Sequence, residues 1–337
     1  MNNANSKELP VLAIVVPCFN EEQALPATAK ALGALLSSLR AAQLVATSSF
    51  VCFVDDGSRD ATWNEILSLA DTSPDFRGLR LSRNFGHQGA VLGGMLECRS
   101  DIVVTIDADL QDDERCIADM VKEYHNGREV VLGVRSSRAS DTFAKRFTAQ
   151  VYYRLLARLG VRVVFNHADY RLLSRRAVNL LREYTEANLY LRGVIPLLGL
   201  RSSIVQYARR ERVAGESKYP LRKMLALAWN GVTSFSVSPL RLVSGIGVSI
   251  SVAALLVTLW AFSVRFVGKG VVPGWASTVL PIYFLGGVQI LCLGIIGEYV
   301  GKMYMETKRR PRYHIETHAG PDSGWFRQSR AELSQSP

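Results

Sequence analysis

The stretch Asp101-Ile102-Val103-Val104-Thr105-Ile106-Asp107-Ala108-Asp109-Leu110-Gln111 decides how this chain is read. Its first half is a short apolar run of the kind that forms a strand buried on both faces of a parallel sheet. Its second half places two carboxylates one residue apart at the strand's carboxyl end, where open α/β sheets hold their ligands. Side chains on an extended backbone repeat every two residues, so Asp107 and Asp109 point the same way. Gln111 continues that face if the backbone stays extended. Two acids and an amide are hard oxygen donors that suit Mg²⁺ or Mn²⁺, ions that take few protein groups and are completed by substrate phosphates.

The same pattern recurs on the amino-terminal side. Val11 to Val16 is an apolar run ending in Pro17-Cys18-Phe19-Asn20-Glu21-Glu22, and Ser49 to Val54 is a second, ending in Asp55-Asp56-Gly57-Ser58. Gly78 to Ser82 reads as a third strand, followed by the loop Arg83-Asn84-Phe85-Gly86-His87. Helical spacing of apolar residues fills 22–39, begins again at Thr62 and runs from Gln88 to Cys98. On the carboxyl-terminal side, Val130 to Val134 is a strand ending at Arg135. Phe143 to Leu159 is an amphipathic helix with a basic face (Lys145, Arg146, Arg154, Arg158). His167-Ala168-Asp169-Tyr170-Arg171 reads as a turn before a helix from Arg175, and Ser203 to Tyr207 as a late strand. Strands alternating with helices predict a doubly wound α/β domain. The first strand is not followed by Gly-x-Gly-x-x-Gly, which argues against a dehydrogenase. If the strands are parallel and adjacent, the ends carrying Asn20 and Glu21, Asp55 and Asp56, Asp107 and Asp109, and Arg135 converge on one sheet edge. Acids, arginines and a divalent ion there form a diphosphate-binding edge without a glycine-rich loop.

The chain has 337 residues, a net charge of +10 and a pI of about 9.5. That balance suits nucleic acid or an anionic membrane surface. The distribution of apolar residues decides for the membrane. Two uncharged runs, Leu242 to Val264 and Gly270 to Gly297, each exceed the roughly 20 residues that cross a bilayer as a helix. Arg222, Lys223 and Arg241 precede the first run, and Lys302, Lys308, Arg309, Arg310 and Arg312 follow the second. Positive charge on that side predicts an inner-membrane hairpin with the α/β domain and tail in the cytoplasm. The expected organisation is a domain over 1–218, an interfacial helix over 219–240, spans over 241–267 and 275–301, and a basic tail over 302–337. Met1 to Pro10 is polar and carries no signal peptide. Five cysteines without paired spacing read as reduced thiols.

Taken as an ordered set, Val16-Pro-Cys-Phe-Asn-Glu-Glu22, Val54-Asp-Asp-Gly-Ser58, Arg83-Asn-Phe-Gly86, Asp107-Ala-Asp-Leu-Gln111, Asp169-Tyr-Arg-Leu172 and Arg212-Val-Ala-Gly-Glu-Ser-Lys218 carry a resemblance. The chain resembles family 2 glycosyltransferases of the polyprenyl-phosphate type, over roughly residues 10 to 315. Gly286-Gly-Val-Gln289 and Gly297-Glu-Tyr-Val-Gly301 look like the bactoprenol branch. The resemblance implies a GT-A-like domain. It puts Pro17, Phe19 and Glu21 along the nucleotide pocket, Val54 and Asp56 on the base and ribose, and Asp107, Ala108 and Asp109 on the donor. Asp109 and Gln111 become metal ligands beside Asp107. Arg135, Arg212 and Lys218 become contacts to donor or acceptor phosphates, with Arg146 added for the acceptor. Asp169 matches a carboxylate that serves the acceptor, so the implied catalytic set is Asp109, Asp169 and Arg212. Phe19 replaces a common Tyr, and Asp112-Asp113 a common Pro pair. His87 receives no role.

The implied partners are a nucleotide sugar, a polyprenyl phosphate and membrane lipid, with no nucleic acid; tetramers are a possible assembly in such a family. The implied reaction is a single inverting displacement, with UDP-glucose as first choice of donor. GDP-mannose, N-acetylated and arabinose-type donors use the same scaffold. A phosphate acceptor is already anionic near neutrality, so a strong general base is less necessary than for an alcohol. Two competing classes are weaker. A processive polysaccharide synthase usually has a Gln-x-x-Arg-Trp motif, and no Arg-Trp pair occurs here. A non-catalytic lipid- or nucleic-acid-binding scaffold would have no need of the acids.

Overall fold

The protein is described from a computed structural model. It covers residues 8–135, 167–186, 189–207 and 275–321, with scattered positions between 240 and 256. Two compact units are present: residues 1–153, 162–217 and 311–337 form the first, and 154–161 with 218–310 the second.

The first unit is an α/β layer structure built on an eight-stranded mixed sheet, in the order β7-β5-β6-β4-β1-β2-β3-β8. The central strands β1 (Leu12–Cys18), β2 (Phe50–Asp55) and β4 (Ile102–Thr105) are buried at every residue. Each is an uninterrupted apolar run, as a strand covered on both faces requires. β1 pairs in parallel with β2 and β4, and β2 in parallel with β3 (Phe76–Leu81). Helices α1 (Leu25–Ala41), α2 (Thr62–Thr72), α3 (His87–Glu97) and α4 (Cys116–His125) follow successive strands. α1 buries Leu25, Ala29, Leu32, Leu36 and Leu39, a stripe at steps of three and four that lays one face on the sheet. α3 lies closest to the strands. A side chain at Gly94 would overlap Val15 and Val54, so glycine sets that approach.

Two strands run against the rest. The segment 167–171, expected as a turn, is the start of β6 (His167–Ser174), which inserts antiparallel between β4 and β5 (Val130–Arg135). Tyr170, Leu172 and Leu173 are fully buried there, so the segment is strand-forming and its two charged residues masked the signal. β7 (Ser202–Tyr207) is the far edge, parallel to β5. α5 (Arg175–Glu183) starts at Ser174, whose Oγ accepts from the Ala177 amide. A short turn of helix, α6 (Leu191–Val194), passes into a 3-10 turn over Ile195–Leu198. At the other edge β8 (Ile315–Ala319) pairs antiparallel with β3. That strand lies inside the stretch expected as a solvated tail.

In the second unit, α7 (Trp275–Thr307) is a single helix of 33 residues, about 50 Å long at 1.5 Å per residue. Its segment Phe284–Thr307 is, among the described residues, the one helix long and apolar enough to cross a bilayer. Phe284 is 68% exposed and Ile290 73%, an apolar surface suited to lipid. Most of the first expected span, 241–267, lies outside the described residues, although positions 243–250 are helical.

Candidate active site

A cleft of about 300 Å³ opens at the carboxyl ends of β1, β2 and β4, and its lining includes Pro17, Phe19, Glu21, Asp56, His87, Asp107, Ala108 and Asp109. These residues come from loops after three adjacent parallel strands and from the start of α3. The loops are fastened to one another. Asn20, at φ 57°, accepts the Arg59 amide on Oδ1 and donates its own amide to Ser58 Oγ. The Glu21 amide donates to Thr62 Oγ1 at 2.9 Å. Thr28 on α1 donates its hydroxyl to the Ala108 carbonyl at 2.6 Å, fixing the Asp107–Asp109 turn from beneath.

The two acids that end β2 divide the work. Asp55 is wholly buried; it accepts the Ser58 amide and faces Arg80 at 3.5 Å, so it shapes the turn. Asp56 instead accepts amides from Phe85 at 2.7 Å and Gly86 at 2.9 Å, which pins the loop before α3 against the cleft. Burial pushes its carboxyl up, while the two amides oppose that shift. Val54 is fully buried in β2, with its side chain turned toward Gly94, and it does not line the cleft.

Asp107 and Asp109 both line the cleft, but Gln111 does not join them. Leu110 adopts φ 49°, and the Gln111 amide turns back to Asp109 Oδ1 at 3.2 Å. The backbone therefore leaves the extended state on which the shared face depended, and Gln111 is buried at 5% exposure. Of the expected metal set, Asp107 and Asp109 remain together. Burial raises the Asp107 carboxyl, and Asp112, Asp169 and Asp109 push it further. Glu21 is raised by burial and then by Asp109, Asp60 and Asp107. These acids repel one another, and a bound cation would relieve that repulsion. Among the described residues no three His, Cys, Asp or Glu side chains gather closely enough to enclose a metal. The donor set thus fits an open Mg²⁺ or Mn²⁺ site completed by substrate, rather than a closed cage.

Behind the cleft's lining, β6 brings Asp169 up to His87. Asp169 is held by Arg171, fully buried, and by Arg192 on α6 at 2.9 Å. Thr105 on β4 donates its hydroxyl to the Asp169 carbonyl at 2.6 Å. His87 lies between two carboxylates, with Nε2 3.7 Å from Asp107, which lines the cleft, and 3.6 Å from Asp169, which does not. Burial alone would raise the Asp169 carboxyl, but His87, Arg171 and Arg192 hold it far below the usual carboxylate range. For His87, burial pulls the imidazole down, and the contact with Asp169 and the charge of Asp107 more than offset this, so it stands above its ordinary value. Sequence reading assigned His87 nothing and overlooked Arg171 and Arg192. A histidine opening a helix after Arg-Asn-Phe-Gly was the available signal; the two arginines gave none.

Arg135 ends β5 on the same sheet edge but turns outward. Its Nε donates to the Tyr207 hydroxyl at 3.3 Å and its Nη2 lies 3.6 Å from Asp112. The Tyr207 hydroxyl donates to Asp112 at 2.7 Å, and the Tyr170 hydroxyl to the Asp113 carbonyl at 2.9 Å. The Asp112-Asp113 turn is thus anchored by side-chain bonds where a Pro pair would be anchored by ring geometry. Arg146, Arg212 and Lys218 lie outside the described residues, as do the helix expected over 143–159 and the interfacial helix at 219–240.

Residues 13–181 match the family model described as glycosyl transferase family 2. An uncharacterized glycosyltransferase, YkoT of Bacillus subtilis (strain 168), is 47% identical over 91% of this chain and 91% of its own. The bactoprenol glucosyl transferase of Shigella phage SfX is 37% identical over 91% of this chain and 99% of its own. The prophage bactoprenol glucosyl transferase homolog of Escherichia coli (strain K12) is 35% identical, covering 90% and 98%.

Proposed function

The chain belongs to glycosyl transferase family 2 and is a glycosyltransferase, and from that premise we propose that it moves one sugar from a nucleotide sugar to a polyprenyl phosphate at the cytoplasmic face of a membrane. One juxtaposition carries the reading. The acids that follow β1, β2 and β4 line a single cleft with His87, and His87 in turn reaches a carboxylate clamped by two arginines. The relatives named as bactoprenol glucosyl transferases span nearly their whole length on this chain, which favours a lipid-phosphate acceptor and glucose from UDP-glucose. The apolar surface of α7 supports a membrane anchor, and the uncharged run Leu242 to Val264 supplies, in this reading, the other arm of a hairpin.

In this reading Pro17, Phe19, Glu21 and Asp56 receive the nucleotide, and Asp107 and Asp109 hold the divalent cation. Bound there, the cation supplies Lewis-acid neutralisation of the leaving diphosphate. Asp169 lies far below the pKa a general base needs. It therefore orients the acceptor side of the cleft, and an acceptor phosphate that is already anionic attacks the anomeric carbon in one inverting displacement. Arg212, Lys218, Arg146 and Arg135 serve phosphates, Arg135 only after leaving Asp112. Rate then comes from positioning and charge neutralisation.

The test is transfer of radiolabelled sugar from UDP-glucose and, in parallel, GDP-mannose into polyprenyl phosphate in nanodiscs. Wild type transfers from one donor, with inverted configuration in the lipid product. Asp109→Ala, exposed in its turn, abolishes transfer while the protein inserts and melts as wild type does. Transfer that survives Asp109→Ala, or a retained configuration, would overturn the mechanism.

A further inference from the structure

The loop Arg83–His87 is held from two sides. From within, Asp56 takes the Phe85 and Gly86 amides. From outside, the chain that resumes after α7 lies across it. Only Lys308, Arg309, Arg310 and Pro311 separate the end of α7 from Arg312. The Ser82 amide donates to the His314 carbonyl at 3.0 Å, and the His314 and Phe85 rings stand 6.1 Å apart. The Tyr313 hydroxyl donates to Glu97 at the far end of α3 at 2.6 Å. The Tyr313 ring lies over Gly93, where a Cβ would meet it at 3.4 Å, and the Arg312 carbonyl lies over Gly89 at 3.5 Å. Gly89 and Gly93 therefore form the bed of this strap. Beyond it β8 continues along β3, and Glu316 faces Arg80, the partner of buried Asp55.

We propose that the strap Arg312–His314 is a positioning element of the donor site: docked on α3, it holds the Arg83–His87 loop so that Asp56 keeps its two amides and His87 stays in the cleft. The donor site is then complete only when the chain beyond the membrane helix is seated. This rests on the reading of the cleft as a nucleotide site.

The experiment uses the full chain in nanodiscs, with wild type, Tyr313→Ala, Tyr313→Phe and Gly93→Leu. UDP and GDP are the binding probes, in the presence of Mn²⁺. Amide exchange is followed in parallel by mass spectrometry. Tyr313→Ala and Gly93→Leu, which remove or evict the ring from opposite sides, raise exchange in peptides spanning 83–88 and weaken nucleotide binding about tenfold. Peptides from β1 and β4 keep their protection, and kcat at saturating donor stays within about threefold of wild type while donor KM rises. Tyr313→Phe, which folds with the ring in place, gives a smaller change in the same direction. Unchanged exchange at 83–88 in a folded Tyr313→Ala, or faster exchange everywhere alike, overturns the proposal. If wild type binds neither nucleotide, the nucleotide reading fails, and the exchange data still decide whether the strap holds the loop.

Discussion

Replacing Asp169 with Ala should cost the protein its fold stability as well as its activity, and the structure sets the size of both effects. Arg171 is fully buried on β6 and its Nη2 is paired with Asp169, while Nε and Nη1 have no hydrogen-bond partner among the described residues. Removing the carboxylate leaves a buried cation uncompensated, which costs about 3–5 kcal/mol. Arg192 is 35% exposed and rehydrates, so its share of the loss is at most about 1 kcal/mol. At roughly 2–4 °C per kcal/mol for a domain of this size, Asp169→Ala should melt roughly 6–20 °C below wild type. Arg192→Ala should stay within a few degrees. The assay is a thermal melt in one detergent at one scan rate, because unfolding of such a chain is read kinetically. Adding Arg171→Met replaces the orphaned ion by an apolar side chain of similar length. It should return most of the melting temperature without returning transfer, which separates the structural role of the carboxylate from its role in the cleft. The pH dependence has a definite sign. The folded pKa of Asp169 is depressed, so its stabilisation is fully present above the unfolded value of about 3.9 and is lost only as pH falls through the folded value. The gap between wild type and Asp169→Ala should therefore not narrow as pH falls from about 8 to about 5; its change in that window is the His87 contribution that the substitution also removes, which widens the gap toward the acid end. An Asp169→Ala protein that melts within about 2 °C of wild type would refute the account, since Arg171 would then have found another partner.

His87 has the opposite linkage: its folded pKa is raised, so its contribution is complete below the unfolded value of about 6.5 and fades as pH rises through the folded one. Melts of wild type and His87→Gln should differ more at about pH 6 than at about pH 8.5; an equal gap would count against the bridge to Asp107 and Asp169. Glu21 and Asp107 are raised by burial and by each other's neighbours, so their ionisation opposes folding increasingly as pH rises through those values. Millimolar Mg²⁺ or Mn²⁺ should therefore raise the melting temperature of wild type, more at about pH 8 than at about pH 5, by the mass-action rule for a ligand that binds only the folded state. The rise should vanish in the double variant Asp107→Asn with Asp109→Asn, and its persistence there would place the ion elsewhere. Asp112→Ala leaves the buried Tyr207 hydroxyl without its acceptor and should cost about 1–3 kcal/mol. Tyr207→Phe alone should cost about 1 kcal/mol, and the double variant should cost clearly less than the sum of the two, as groups sharing one bond do; strict additivity would mean the bond contributes nothing.

The strands whose side chains are apolar on both faces were legible without a structure. β1, β2 and β4 are seven-, six- and four-residue strands, largely apolar, each with an acid at its end or within three residues beyond it, and nothing competes with that pattern. The Asp56, Asp107 and Asp109 loops were legible for the same reason, because a strand end fixes where the next polar residue must lie. Gln111 was not, since its placement depends on one left-handed residue, Leu110, and no composition rule makes a leucine adopt φ above zero. Val54 entered the expected site through the resemblance alone; it stands inside β2, before the strand end, and packs toward Gly94 on α3. The strap at 312–319 was invisible because its sequence is charged and short. It gains its partners from α3 and β3, more than 200 residues away, as the Tyr313 to Glu97 bond does.

The hardest feature to foresee was the direction of β6, and the site depends on it. In a sheet with every strand parallel, residues that begin a strand lie at the edge opposite to residues that end one. Asp169 stands near the start of β6, so a parallel β6 would put it a full strand length from Asp107. Because β6 is antiparallel to β4, Thr105 pairs with Arg171, and the next residues on the same side of each strand are Asp107 and Asp169. The inserted strand thereby carries a carboxylate and its buried arginine to the edge where the acids of β1, β2 and β4 already gather. That accounts for the electrostatics as well. The two carboxylates that face His87 shift in opposite directions, Asp107 up and Asp169 down. Asp169 has arginines behind it, and Asp107 has other acids. One carboxylate is left needing a cation, and the other already has two.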